Sequence, residues 1–238
     1  MGEALALNLV TSLIAFAAGW FFRMIYKRRK ELTPGAHVWR LNGDLPTSIV
    51  TAEGLIIDVQ EYKTQTVWPT EYVAATEISL FLADLFRIKI ARFCTSSEFA
   101  RDELLRGNLI VIGGPVRNAV YREVAARIHI NYEFQGYDLV RLSDSRVYQA
   151  EIVDQELKRD IGLVVLAQNP FNERARLVMV AGCRVFGTLA AARMLINPDV
   201  HRIHKAVQKQ SQISFVVEAD LIDGFAVRTS ILDSHPVE

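Results

Sequence analysis

The chain has 238 residues, 50% of them hydrophobic and 23% charged, a composition that belongs to a folded protein and excludes a disordered one. Lys+Arg and Asp+Glu both total 27, but residues 1–30 hold five basic side chains and one acid, leaving 22 basic against 26 acidic groups in the rest. A mildly acidic body excludes a dedicated nucleic-acid binder, and two distant cysteines, Cys94 and Cys183, exclude a disulfide framework or a zinc knuckle.

From Ala4 to Phe22 no residue is charged. A helix over this run spans about 28 Å, close to the hydrocarbon thickness of a bilayer. Glu3 precedes it and Arg23, Lys27, Arg28, Arg29 and Lys30 follow it. This order is the reverse of a secretory signal and predicts a single transmembrane helix with its N-terminus outside and the body in the cytoplasm. The expected organisation is an anchor with a basic collar over 1–30, a linker over 31–47 and a cytoplasmic α/β domain over 48–238. The bilayer is then an expected partner, and small residues (Ala4, Ala15, Ala18, Gly19) offer a route to homo-oligomers.

Glu31 to Pro46 is rich in Pro, Gly, Asn and Asp and reads as loop. Strands are predicted over Ser48–Ala52 and Leu55–Val59, a polar loop between Glu61 and Pro69, and an amphipathic helix over Glu71–Phe86. Ile88–Phe93 is a short strand, and Ser96 or Ser97 caps a helix ending near Gly107. Leu109–Ile112 is an apolar strand and Ala119–Ile128 a helix. Tyr132–Leu142 and Val147–Val153 form a β-rich insert. Gly162–Ala167 and Leu177–Ala181 are two further buried strands, followed by helices over Thr188–Ile196 and from Pro198 to about Lys209. Ile213–Ala219 and Phe225–Ile231 close the chain as a hairpin across Asp223-Gly224. Apolar strands alternating with helices predict a Rossmann-like layered α/β fold: a mostly parallel sheet plus a C-terminal β-hairpin.

Two strand–glycine loop–helix units carry the candidate site. In the first, Gly113 and Gly114 end a strand, Arg117 adds positive charge and Asn118 is placed to cap the next helix. In the second, Gly182, Arg184 and Gly187 lead to Thr188, again at a helix start. Both loops lack G-x-G-x-x-G, and the second lacks the lysine of a P-loop, so neither a dinucleotide fold nor an NTPase is indicated. In a parallel sheet both loops would share the carboxyl edge, where Asn169 would join them, and helix N-termini there would hold an anion. The expected function is binding or sensing of a small phosphorylated ligand, nucleotide-like, with the cofactor left unknown. An enzyme acting on such a ligand and a ligand-free scaffold are the alternatives.

Ser97-Glu98-Phe99-Ala100-Arg101-Asp102-Glu103-Leu104 resembles the S-x-W-C-x-x-E-L helix of TIR domains, with Phe for Trp and Ala for Cys. The resemblance implies an NAD-cleaving activity with Glu103 as its catalytic group. It covers these eight residues, and the family's opening strand motif is not recognisable near Ser48. His201 and His204 lie one helical turn apart but have no acidic or cysteine partner at metal-ligand spacing.

Overall fold

The computed structural model describes residues 13, 15–25, 33–99, 107–196, 200–208, 210–223 and 225–238. Its centre is an eight-stranded mixed sheet. The strands are β1 (Thr47–Thr51), β4 (Ile90–Thr95), β5 (Asn108–Ile112), β9 (Glu151–Val153), β10 (Glu156–Asn169), β11 (Asn172–Gly182), β12 (Ile213–Ile222) and β13 (Phe225–Pro236). Their order is β13-β12-β10-β11-β5-β1-β4, with β9 alongside β10. The half formed by β4, β1, β5 and β11 is parallel. The half formed by β11, β10, β12 and β13, together with β9, is antiparallel. β11 is therefore the joint, parallel to β5 on one side and antiparallel to β10 on the other.

This corrects the expectation of a mostly parallel, Rossmann-like sheet. β10 and β11 form a hairpin turning at Pro170 and Phe171, where a parallel crossover was expected. Their unbroken apolar runs suggested parallel strands because such strands are buried on both faces. Here antiparallel strands are equally covered. Two cores lie on opposite faces of the sheet, fed by alternate residues of each strand. Ile110, Val178, Val164 and Phe215 face one; Leu109, Val111, Met179, Val165 and Val216 face the other.

The first face is covered by α1 (Thr33–Trp39), α2 (Pro69–Phe86), α4 (Val185–Ile196) and α5 (Val200–Val207). α1 falls inside the stretch read as linker, where Pro34 and Gly35 mask a single turn-rich helix. Trp39 is 1% exposed and its indole Nε1 donates to Leu195 O at 3.2 Å, so α1 belongs to the core. α2 begins with Pro69, a residue suited to a first helical turn, and ends at Arg87 in the left-handed region. Arg193 forks onto Glu77 at 2.7 and 2.9 Å and ties α4 to α2.

The second face is covered by α3 (Ala119–Ala125) and a small sheet of β6 (Tyr132–Gln135), β7 (Asp138–Arg141) and β8 (Arg146–Tyr148). The β-rich insert thus forms its own layer, apart from β9, which extends the main sheet. β2 (Ile56–Val59) and β3 (Tyr62–Gln65) make a separate exposed hairpin, β3 lying where a polar loop was expected.

The N-terminal expectation is also corrected. Residues 15–25 are helical, but no helix among the described residues is long and apolar enough to cross a membrane. The rest of the uncharged run, residues 4–12 and 14, lies outside the described residues. A single-pass anchor and a membrane location lose their support.

Candidate functional site

A cleft of about 530 Å³ opens at the carboxyl ends of β1, β5 and β11. The strand order reverses there: the chain leaves β1 for β4 on one side and later returns to β5 on the other. Such a point is where open α/β sheets place ligands. The lining comes from both glycine loops, with Gly114 and Arg117 from the first and Gly182, Arg184 and Thr188 from the second. Trp68, Tyr137, Ile152 and Leu157 supply apolar walls.

In the first loop, Gly113 stands at φ +98° and donates its N–H to Val180 O at 2.8 Å. A Cβ there would lie 2.6 Å from both Ala52 Cβ and Glu71 Oε1, so this position requires glycine. Gly114 is different, because the nearest atom to its Cβ would be Ala181 Cβ at 3.9 Å. Asn118 caps α3 as expected, its Oδ1 accepting Tyr121 N–H at 3.0 Å. Its Nδ2 donates to Ile112 O at 3.0 Å and it is fully buried, so it is committed to the fold rather than to a ligand. Ser96 Oγ accepts Ala119 N–H at 3.2 Å. The start of α3 is therefore internally satisfied. What remains open is the turn before it. Among the described residues, the N–H groups of Gly114, Val116 and Arg117 and the exposed Arg117 guanidinium have no acceptor.

The second loop works differently. α4 begins at Val185, so Gly187 and Thr188 lie in its first turn and Thr188 is not the cap. A Cβ on Gly187 would meet Ile161 O at 2.1 Å, and one on Gly182 would meet Thr188 N at 2.3 Å. Both glycines let α4 lie with its backbone against β10 and β11. The free amides at this helix start are occupied by Asp160, which is fully buried on β10. Its Oδ2 accepts Gly187 N–H at 2.6 Å, and its Oδ1 accepts Arg184 N–H at 3.1 Å and Ile161 N–H at 2.8 Å. Burial pushes this carboxyl up to about 6 against those three donors. A protein carboxylate thus fills the position that an anionic ligand was expected to take. Arg184 stacks on Tyr137 at 4.1 Å and donates to Tyr137 O at 3.3 Å and Cys183 O at 3.0 Å.

Asn169 does not reach this edge. Because β10 runs antiparallel to β11, Asn169 ends at the opposite side of the sheet, donating to Gly107 O at 2.9 Å. Glu103 lies outside the described residues, as do residues 100–106 of the predicted helix after Ser97. Among the described residues no His, Cys, Asp and Glu cluster could hold a metal ion.

The sequence reading missed two acids, Asp160 and Glu71. Glu71 sits in the first turn of α2, 7% exposed, and lines the cleft. Its Oε2 accepts Ala52 N–H at 3.2 Å. Burial pushes its carboxyl up to about 7, with the Ala52 bond opposing. Cys183 also lines the cleft, but burial raises its thiol to about 12, which keeps it protonated and unreactive. No protein-family model and no curated protein matches the chain.

Proposed function

We propose that the cleft binds a small ligand bearing a phosphate or carboxylate, with the anionic group seated on the Arg117 turn. The observation that carries this reading is the combination, in one 530 Å³ cleft, of the Arg117 guanidinium, without an acceptor among the described residues, and Gly114, which leaves its surroundings open. The amides of Gly114, Val116 and Arg117 lie in the same turn and lack acceptors among the described residues. The apolar walls suit an organic portion of the ligand, as in most small-molecule sites. The anion site is thus confined to the first glycine loop, since Asp160 occupies the second. No feature of the cleft favours a nucleotide over other phosphorylated molecules.

The test is thermal unfolding of the full chain against phosphorylated and carboxylated small molecules. A ligand at about a hundred times its Kd stabilises by roughly 2.7 kcal/mol, raising Tm by about 5–10 °C at this chain length. Arg117→Ala, at an exposed position, should leave the apoprotein's Tm in place and remove the shift. A shift that survives Arg117→Ala, or no shift with any compound, refutes the reading.

A further inference from the structure

The anion-binding turn accounts for one part of the cleft and leaves Glu71 unexplained. An acid in the first turn of a helix is ordinary, and Glu71 shares the Ala52 N–H, which donates to Ile112 O at 2.9 Å and to Glu71 Oε2 at 3.2 Å, latching α2 to the end of β1. A glutamine would serve that latch equally well. Yet Glu71 is 7% exposed, faces the cleft, and accepts no second hydrogen bond among the described residues. Its Oε1 lies over Gly113, the residue held at φ +98° where a side chain would collide with it. The backbone is shaped to admit a carboxyl group here, and among the described residues no cation pairs with it.

The groups around Glu71 bear this out. The residue after β1 offers the Ala52 amide, and β5 leads to Gly113. The end of β11 contributes the protonated Cys183 thiol, and α4 contributes Thr188. On α2 itself, Glu77 is engaged with Arg193. Among the described residues the cleft's cations are Arg184, committed to Tyr137 and Cys183, and Arg117 at the exposed turn. No charged side chain figures among the causes that set the Glu71 carboxyl's proton affinity. A buried carboxylate without a partner is unfavourable, and a ligand group that donates to it removes the penalty.

We infer that the ligand is bifunctional: its anionic group sits on the Arg117 turn, and a cationic or amidine-like hydrogen-bond donor pairs with the Glu71 carboxylate. This rests on the anion-binding reading above and narrows it to phosphorylated or carboxylated amines and amidines. Because the pairing uses the ionised form, binding below about pH 7 releases a proton from Glu71.

O-phosphoethanolamine and ethyl phosphate differ by the amine and test this on the full chain by calorimetric titration. At pH 8 the amine-bearing compound should bind at least tenfold more tightly, and that advantage should shrink as pH falls below 7. Glu71→Gln, which keeps side-chain size and an acceptor for Ala52, should bind the two compounds equally. Equal binding by the unmodified protein, or an advantage that persists in Glu71→Gln, overturns the inference while the anion reading stands if ethyl phosphate binds. If neither compound binds, both readings fall. Arg117→Ala should weaken both compounds together, separating loss of the anion seat from loss of the amine partner.

Discussion

Glu71→Gln should make the protein more stable at neutral and alkaline pH, and the structure sets the size of the effect. Burial raises this carboxyl from 4.5 to about 7, so the folded protein holds the proton more tightly than the unfolded chain does. Folding stability therefore falls as pH rises through that window, and the deficit is complete above about pH 7. A shift of this size corresponds to about 3 kcal/mol. Glutamine resembles the protonated acid and never ionises. The variant should match the unmodified protein near pH 4 and exceed it by up to about 3 kcal/mol at pH 8, equivalent to roughly 6–12 °C in Tm. Urea unfolding of both proteins at half-unit steps from pH 4 to 8 measures the difference curve directly. A flat difference across the window, or a variant less stable at pH 8, would refute the placement of a poorly solvated carboxyl in the cleft. The same experiment bears on ligand binding, since a site group that destabilises the free protein is one that a ligand can relieve.

Asp160→Ala leaves the N–H groups of Gly187, Arg184 and Ile161 without their shared acceptor. It should cost about 2–4 kcal/mol in urea unfolding, and a loss below about 0.5 kcal/mol would show that this helix start does not depend on it. Gly187→Ala drives a methyl to 2.1 Å from Ile161 O and should destabilise by about 3 kcal/mol or more, whereas Gly114→Ala, with 3.9 Å to its nearest neighbour, should cost under about 1 kcal/mol. Equal losses at the two glycines in thermal unfolding would contradict their different roles.

Most elements were legible from local pattern. β1, β5, β11 and α2 follow from apolar runs and helical spacing, and Asn118 from its position before an apolar helix. Strand direction was not legible. The segment Asn169-Pro170-Phe171-Asn172 reads as a loop whether the chain turns back or crosses over, and only tertiary covering of both faces explains the uniform apolarity of β10. α1 was hidden because Pro34 and Gly35 are common in loops, while what holds it is the distant Leu195 carbonyl. In the first loop the turn and Arg117 are open, but the helix start expected to hold an anion is already capped. The second loop's glycines are packing residues, and nothing in one sequence reveals that Asp160 closes the site they resemble. Glu71 carries no distinguishing signal in the sequence, since a single acid at a helix start is commonplace. Its distinguishing feature, burial against Gly113, exists only in the fold.

The position of β11 at the joint of the sheet also sets an order of assembly. β10, β11 and β12 are linked to one another by a tight turn and a helical connection, and β12 to β13 by a turn at Asp223. β5 reaches β11 only after the chain has passed through α3 and the entire insert. Contacts that close short segments form at lower entropic expense than those that close long ones. The β10–β11 and β12–β13 hairpins should therefore gain protection first and present β11 as the template on which β5 is added. Pulsed hydrogen exchange during refolding would register this as amides of the β10–β11 and β12–β13 hairpins protected before that of Ile110. Simultaneous protection would mean that the two halves form in one step.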